Sequence, residues 1–272
     1  MEKDYPSQLT TLGHPQRLAI FRLLMRRYPD HVPAGEIASA LGIKASTAST
    51  YLSALMRTGL VIQQRAGTSL LYAVDMTTAR HLFDYLFSDC CRGRADICLP
   101  FLEENALPKQ RKFNVLFVCT GNSARSIFAE SILRNTQADR FNVYSAGTQP
   151  KSQINPIALK VLRDKGHDII SLKPNHISDL TEDKALKFDF IFTVCDHAAN
   201  EECRAWNGNP ITGHWGLPDP VKDAEGDAFY QTYDAIKHRI EHFTAIDLEN
   251  LGRVAIQRSI DDIGRISQEA RT

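Results

Sequence analysis

Cys119 and Arg125 close the two ends of a short loop, Cys119-Thr120-Gly121-Asn122-Ser123-Ala124-Arg125, and Ser126 follows at once. Backbone N–H groups of such a loop and of a first helical turn converge on one point, where they stabilise negative charge. Arg125 adds a planar fork that matches a tetrahedral oxyanion. Thr120, Gly121, Asn122, Ser123 and Ala124 therefore read, together with Arg125, as a cradle for phosphate, arsenate or sulfate, with Cys119 as the nucleophile at its floor. The same positive field is expected to draw the Cys119 thiol well below the ordinary cysteine value of about 8.5. Ser126 is placed to donate its hydroxyl to the sulfur. A Cys-x5-Arg spacing recurs by chance, but here an apolar run, Val115-Leu116-Phe117-Val118, precedes it and a helical pattern follows it. That context makes the signal specific.

The six cysteines fall into two trios, Cys90, Cys91, Cys98 and Cys119, Cys195, Cys203. The charged N-terminus has no signal-peptide core, and no apolar run reaches the roughly 20 residues of a membrane span, so a cytoplasmic protein without membrane contact is expected. In that compartment thiols serve as ligands or redox groups rather than structural bridges. Three thiolates without a fourth ligand suit trigonal As(III) or Sb(III) better than tetrahedral zinc, which makes Cys90, Cys91 and Cys98 a candidate metalloid site. Neighbouring helical residues point about 100° apart, so Cys90 and Cys91 can share an ion only where the helix frays, as Gly93 permits. Zinc held by His81 and Asp84 is the weaker reading; an ordinary surface pair accounts for those two better.

The elements that must position these residues divide the chain. Through Lys112 there are 14 basic and 10 acidic residues and afterwards 18 and 22, an asymmetry that favours nucleic-acid binding by the first part. There, Leu18, Phe21, Leu24 and Met25 follow a helical period behind Pro15, predicting a core helix. A short helix near Gly35 to Leu41, a turn at Gly42-Ile43 and a helix from about Ser46 to Thr58 make a helix-turn-helix. Leu60 to Arg65 and Ser69 to Val74 alternate around a turn as a β-hairpin wing, and a helix from about Thr77 to Ser88 follows. The second helix of the pair has a thin apolar seam, Ala48, Leu52 and Leu55. Around it Lys44, Ser46, Thr47, Ser49, Thr50 and Tyr51, with Arg57 and Arg65 nearby, are small or basic groups able to approach phosphates and base edges.

After a polar, proline-flanked stretch at 99–112, strand and helix alternate: strand 114–118, helix 126–136, strand 141–145, helix 155–165, strand 188–194 and a helix from Asp227 to about Phe243. The order implies a parallel sheet with flanking helices and a site at the strands' carboxyl ends. Leu248, Leu251, Ile256, Ile260 and Ile263 give the tail a helical period, for packing on this domain or for a dimer.

Residues 113 to about 245 resemble the low-molecular-weight phosphatase fold in its arsenate-reductase branch. The resemblance rests on FVCTGNSARS (117–126), NVYSAG (142–147), NHISDL (175–180), FTVCD (192–196) and HWGLPDP (214–220). It implies that Asp219 is a general acid, on a segment loosened by Gly216 and Pro218. It also implies that Cys195 and Cys203 relay oxidation away from Cys119 to thioredoxin or another thiol donor, with arsenate as substrate. Asn122, Glu130, Ser145 and Asp179 match positions where some members bind potassium, although a hydrogen-bond network explains them equally. Ala124 replaces a further cysteine found in some members. Residues 7 to 98 resemble the ArsR/SmtB family of winged-helix repressors through LGHPQRLAIFRLL (12–24), the helix-turn-helix and the wing GTSLLYAV. This second resemblance implies a homodimer formed through the N-terminal domain, operator DNA as partner, and As(III) or Sb(III) as inducer. The cysteine pair that many members carry on the first helix of the motif is absent at Val32 to Glu36.

The expected architecture is therefore a winged helix-turn-helix domain at 1–98, a linker at 99–112, an α/β phosphatase-like domain at 113–245 and a helical tail at 246–272. It reads as an arsenite-responsive repressor fused to an arsenate reductase, with no tightly bound cofactor. A tyrosine phosphatase is the main enzymatic alternative, although Val221-Lys222 follows Asp219-Pro220 where true tyrosine phosphatases place aromatics. A non-catalytic oxyanion or redox sensor joined to a DNA-binding regulator is the third reading.

Overall fold

The computed structural model describes residues 4–92, 111–181, 186–201, 209–222 and 226–266, and the chain divides into two compact units, Met1–Asn105 and Ala106–Thr272.

The first unit contains α1 (Tyr5–Leu12), α2 (Pro15–Arg27), β1 (Val32–Pro33), α3 (Ala34–Ala40), α4 (Ala45–Arg57), β2 (Val61–Ala66), β3 (Ser69–Val74) and α5 (Met76–Tyr85). The helix-turn-helix is α3 and α4, and Gly42 supplies the left-handed residue between them (φ 61°). In the wing, β2 and β3 pair antiparallel from Val61↔Val74 to Ala66↔Ser69, and Gly67 (φ 59°) opens the two-residue turn. The sequence did not flag α1, although Asp4 caps it by accepting the Ser7 N–H at 3.1 Å and Pro6 sits in its first turn. Ala48, Leu52 and Leu55 are fully buried, as the seam requires. The stripe expected on α2 is corrected. Phe21 and Leu24 are buried with Ile20 and Leu23, but Leu18 and Met25 are 40% and 36% exposed. Apolar residues cover more than one face of α2, so periodicity could not choose between them; packing on α4 and β3 chose the Ile20 side. Arg27, buried at the end of α2, is paired with Glu36 and, at 3.4 Å, with Asp30, which offsets the cost of burying its charge.

The second unit contains β4 (Phe113–Cys119), α6 (Arg125–Gln137), β5 (Phe141–Gly147), α7 (Pro156–Asp164), α8 (Ile177–Thr181), β6 (Phe190–Thr193), α9 (Asp196–Asn200), β7 (Ile211–His214), α10 (Asp227–Thr244) and α11 (Arg253–Arg265). The strands form one parallel sheet in the order β5-β4-β6-β7, so β4 is central and Cys119 ends it. The sequence did not disclose the edge strand β7. Its side chains fall two buried, one exposed and one between, too short a pattern to read. Arg111 grips Asp189 with two hydrogen bonds of 2.8 and 2.7 Å, and Asp189 also accepts the Asn114 N–H, fixing the entry to β4 beside β6. An aromatic cluster fills the core, with Trp215 stacked on Phe192 at 4.0 Å and Phe243 against both.

The tail belongs to this core. Leu248, Ile256, Ile260 and Ile263 are buried, and α11 packs on β7. A Cβ at Gly213 would stand 2.6 Å from the Ile260 side chain, so a glycine in β7 lets the helix approach. Leu251 departs from the expected stripe; it precedes α11 and is 38% exposed. Among the described residues no helix is long and apolar enough to cross a membrane.

Candidate active site

The loop from Cys119 to Arg125 links the carboxyl end of the central strand to the first turn of α6, the kind of junction at which backbone N–H groups favour an anion. Cys119 is 2% exposed, with its Sγ 2.9 Å from the Ser126 hydroxyl and accepting the Asn122 N–H at 3.0 Å. Asn122 adopts a left-handed conformation (φ 43°) and its side chain braces the loop. Its Nδ2 donates to Ser126 (2.9 Å) and Ser145 (2.8 Å), and its Oδ1 accepts the Asn175 N–H (2.7 Å). Gly147, at the end of β5, lies against this loop so closely that a Cβ would stand 2.5 Å from the Thr120 carbonyl oxygen. Gly147 ends the NVYSAG motif, and the requirement for glycine there comes from a backbone approach that no local sequence pattern records.

Burial pushes the Cys119 thiol above its ordinary range, and the nearby Cys195 adds to this; the Ser126 hydroxyl, the Asn122 N–H and Arg125 act the other way. The expected depression is thus corrected. Spacing revealed the positive groups but not that the sulfur would be almost wholly removed from water, which disfavours the charged form.

The loop opens into a cleft of about 610 Å³ that also takes in Lys151, Cys195, Leu217 and Asp219. Arg125 donates to the Leu217 carbonyl at 2.9 Å and pairs with Asp219 at 3.2 Å, so the segment that carries Asp219 is docked on the Arg125 guanidinium. Cys195, buried two residues beyond β6 and just before α9, has its Sγ 3.4 Å from the Thr120 hydroxyl. Cys119, Arg125, Ser126, Asp219 and Cys195 are therefore assembled in one place, whereas Cys203 lies outside the described residues. His214, missed by sequence reading, is buried behind the cleft. Its Nδ1 is 2.8 Å from the Thr193 hydroxyl and its Nε2 3.4 Å from Asp196, tying the start of the acid segment to the residue after Cys195.

Three of the four residues matched to a potassium site form a chain: Asn122 to Ser145, Ser145 to Glu130, and Glu130 to Arg134. Asp179 accepts instead from the His176 N–H at 3.3 Å and from the Ser178 hydroxyl. With Arg134 supplying a positive charge to Glu130, Asn122, Ser145 and Glu130 are joined in a hydrogen-bond network.

In the first unit, Lys44, Ser46, Ser49, Thr50 and Arg65 are exposed, and Thr47 and Tyr51 half-buried. Tyr51 leans on the His14 ring, and the Thr50 hydroxyl donates to the Ser46 carbonyl. Arg57 lies apart from that cluster, lining a cleft of about 690 Å³ with residues of α1 and α5, His81 among them. Asp84 pairs with Arg80 at 3.8 Å. Cys90 closes a π-helical turn (Leu86–Cys90) after α5, Cys91 follows, and Arg92 turns left-handed (φ 50°). The helix is thus irregular where two adjacent thiols would need it to be. Tyr85 neighbours Cys90, whose thiol is the main cause holding the phenol above its ordinary range. Cys98 lies outside the described residues.

A buried thiol at the end of a central parallel strand, inside a Cys-x5-Arg loop that opens a helix, defines a cysteine-dependent α/β domain built to hold oxyanions. The family profile described as low molecular weight phosphotyrosine protein phosphatase matches residues 114–254, and the chain belongs to that family. A helix-turn-helix domain profile matches residues 12–64, so the two are fused in one chain. Among similar proteins, the arsenate reductase of Staphylococcus xylosus is 38% identical over 133 residues, 48% of this chain and 96% of that protein. The arsenate reductase of Staphylococcus aureus strain Newman is 36% identical over the same shares. A crystal structure of arsenate reductase from Archaeoglobus fulgidus covers 47% of this chain and 95% of its own at 25% identity, with a TM-score of 0.39.

Proposed function

We propose that the chain reduces arsenate to arsenite through Cys119 and uses its helix-turn-helix unit as an arsenite-responsive repressor. The observation that carries the first half is the placement of a second buried thiol, Cys195, in the same cleft as Cys119. A phosphatase has no use for that thiol, and the relatives named arsenate reductases match across nearly their whole length.

In this reading the Cys119 thiolate attacks arsenic(V), an As–O bond breaks, and Asp219 protonates the departing oxygen as Arg125 and the loop N–H groups hold the rest. The Cys195 thiolate then attacks Cys119 Sγ. An S–S bond forms, the S–As bond breaks, and its electron pair leaves with arsenic, now arsenic(III). Cys203 attacks Cys195, releasing Cys119 as thiolate and leaving a Cys195–Cys203 disulfide. Thioredoxin or another dithiol reopens that disulfide.

For the other unit, Lys44, Ser46, Thr47, Ser49, Thr50, Tyr51 and Arg65 contact operator DNA, with the repressor acting as a homodimer. Cys90, Cys91 and Cys98 take up As(III) or Sb(III) and release the operator. Turnover of arsenate with thioredoxin and its reductase tests the enzyme. Faster hydrolysis of an aryl phosphate with no arsenate-dependent thioredoxin oxidation would instead make it a phosphatase. An anisotropy titration of labelled operator with As(III) tests the repressor, and release unchanged in the Cys90, Cys91, Cys98 triple serine variant would remove those thiols from it.

A further inference from the structure

His238 and His242 stand one turn apart on the exposed face of α10, whose other side buries Phe229, Tyr233, Ile236, Ile240 and Phe243. Residues four apart on a helix lie along one row, and here the two Nε2 atoms approach to 3.2 Å with the rings at 90°. Two nitrogens bound at about 2.05 Å to one tetrahedral ion lie about 3.3 Å apart, from the bond length and the tetrahedral angle alone. The two rings are hydrogen-bonded to each other through these atoms, and that contact already holds the nitrogens at the spacing of a bidentate chelator, so that an ion would take the place of the shared proton. The flanking carboxylates are engaged with lysines, Asp234 with Lys165 at 3.2 Å and Glu241 with Lys237 at 3.5 Å, which leaves the imidazoles as the donors.

We propose that His238 and His242 form a surface site for a divalent transition-metal ion of the class that prefers imidazole: Ni2+, Zn2+ or Cu2+. Two nitrogens come from the protein and water completes the coordination. Hard ions such as Mg2+ and Ca2+, which take oxygen ligands, are not expected there. Because an unfolded chain does not hold the two rings at this separation, an ion bound by both stabilises the folded domain.

The test is isothermal titration of the reduced full-length chain with Ni2+, paired with thermal unfolding with and without Ni2+. Cys119→Ser and Cys195→Ser variants and the Cys90, Cys91, Cys98 triple serine variant are run alongside, each also in the double alanine background, to separate thiol binding. The expected result is a site whose affinity falls roughly tenfold or more in His238→Ala and in His242→Ala, since each leaves a single ligand. The Ni2+-dependent rise in unfolding midpoint should vanish with it, while both effects persist in the cysteine variants. Both histidines are exposed, so the alanine variants should keep the metal-free midpoint. Binding and midpoint shift that survive in the double alanine variant would place the ion elsewhere and overturn the proposal, as would a wild-type chain that binds no Ni2+.

Discussion

At the residue, the unexpected finding is a nucleophile whose burial works against its own ionisation. Since the Cys119 thiol is pushed up, its thiolate is scarce near neutrality and increases with pH. Alkylation of Cys119 by iodoacetamide should therefore speed up about tenfold per pH unit through neutrality, with a midpoint above the free-cysteine value of about 8.5. Ser126→Ala should move that midpoint higher by removing a lowering influence, and Cys195→Ser should move it lower by removing a raising one. A pH–rate profile showing the same midpoint in all three proteins would contradict this account. For catalysis, Cys119→Ser should abolish arsenate reduction, because a serine hydroxyl is not ionised at these pH values, while operator affinity stays unchanged. Gly147→Ala should also impair arsenate turnover, since its Cβ would meet the Thr120 carbonyl at 2.5 Å and the loop must shift, a strain of about 1–3 kcal/mol. Cys119, Arg125 and Ser126 were legible because their chemistry is local in sequence. The contacts of Arg125 with Leu217 and Asp219 span some ninety residues, and no local pattern records them.

At the level of elements, the hairpin and the helix-turn-helix were legible because alternation, turn glycines and a buried seam agree with one another. β7 and α1 were not: the first is four residues long, and the second is a short helix whose one buried side chain, Gln8, is polar. The expected tail became part of the enzyme's core because β7 requires a cover. Ile260→Ala should cost about 2–5 kcal/mol of stability in the second unit, as for other buried large-to-small changes. Gly213→Ala should destabilise too, by forcing α11 from the sheet. Denaturant titration reads both, and a loss under about 0.5 kcal/mol for Ile260→Ala would mean that α11 does not pack as described. In the wing, Arg65 is an exposed cation. Arg65→Ala should weaken binding similarly for different DNA sequences and reduce the salt slope by about 1 if the residue meets a phosphate.

For the whole molecule, the sequence disclosed two domains of different class, and the two compact units match that reading in kind. Communication between them was not legible, because under the proposed function it rests on a product that one half would hand to the other. Arsenate, an oxyanion, does not suit a three-thiolate site; arsenite does. Operator release should therefore follow arsenate addition only when thioredoxin and its reductase are present and Cys119 is intact. Comparing the intact chain with halves severed near Glu104 and mixed at equal concentration tests whether linkage matters: a faster response from the intact chain shows local delivery. Identical dose and rate would leave two independent activities.

The parallel sheet has one further consequence, for the order in which the molecule is made. Its central strand ends at Cys119, but the other three strands start only at Phe141, Phe190 and Ile211, and the helix that covers the last of them starts only at Arg253. No early portion of that domain is self-sufficient, and such long-range pairing folds slowly. The helix-turn-helix and its wing depend on nearer contacts and are complete by Val74. At about 5–20 residues per second of synthesis, the DNA-binding unit emerges on the order of ten seconds before the enzyme can close its sheet. Each newly made chain thus completes its helix-turn-helix unit before it can transform an oxyanion, and under the proposed function the arsenite that frees an operator would come from chains made earlier.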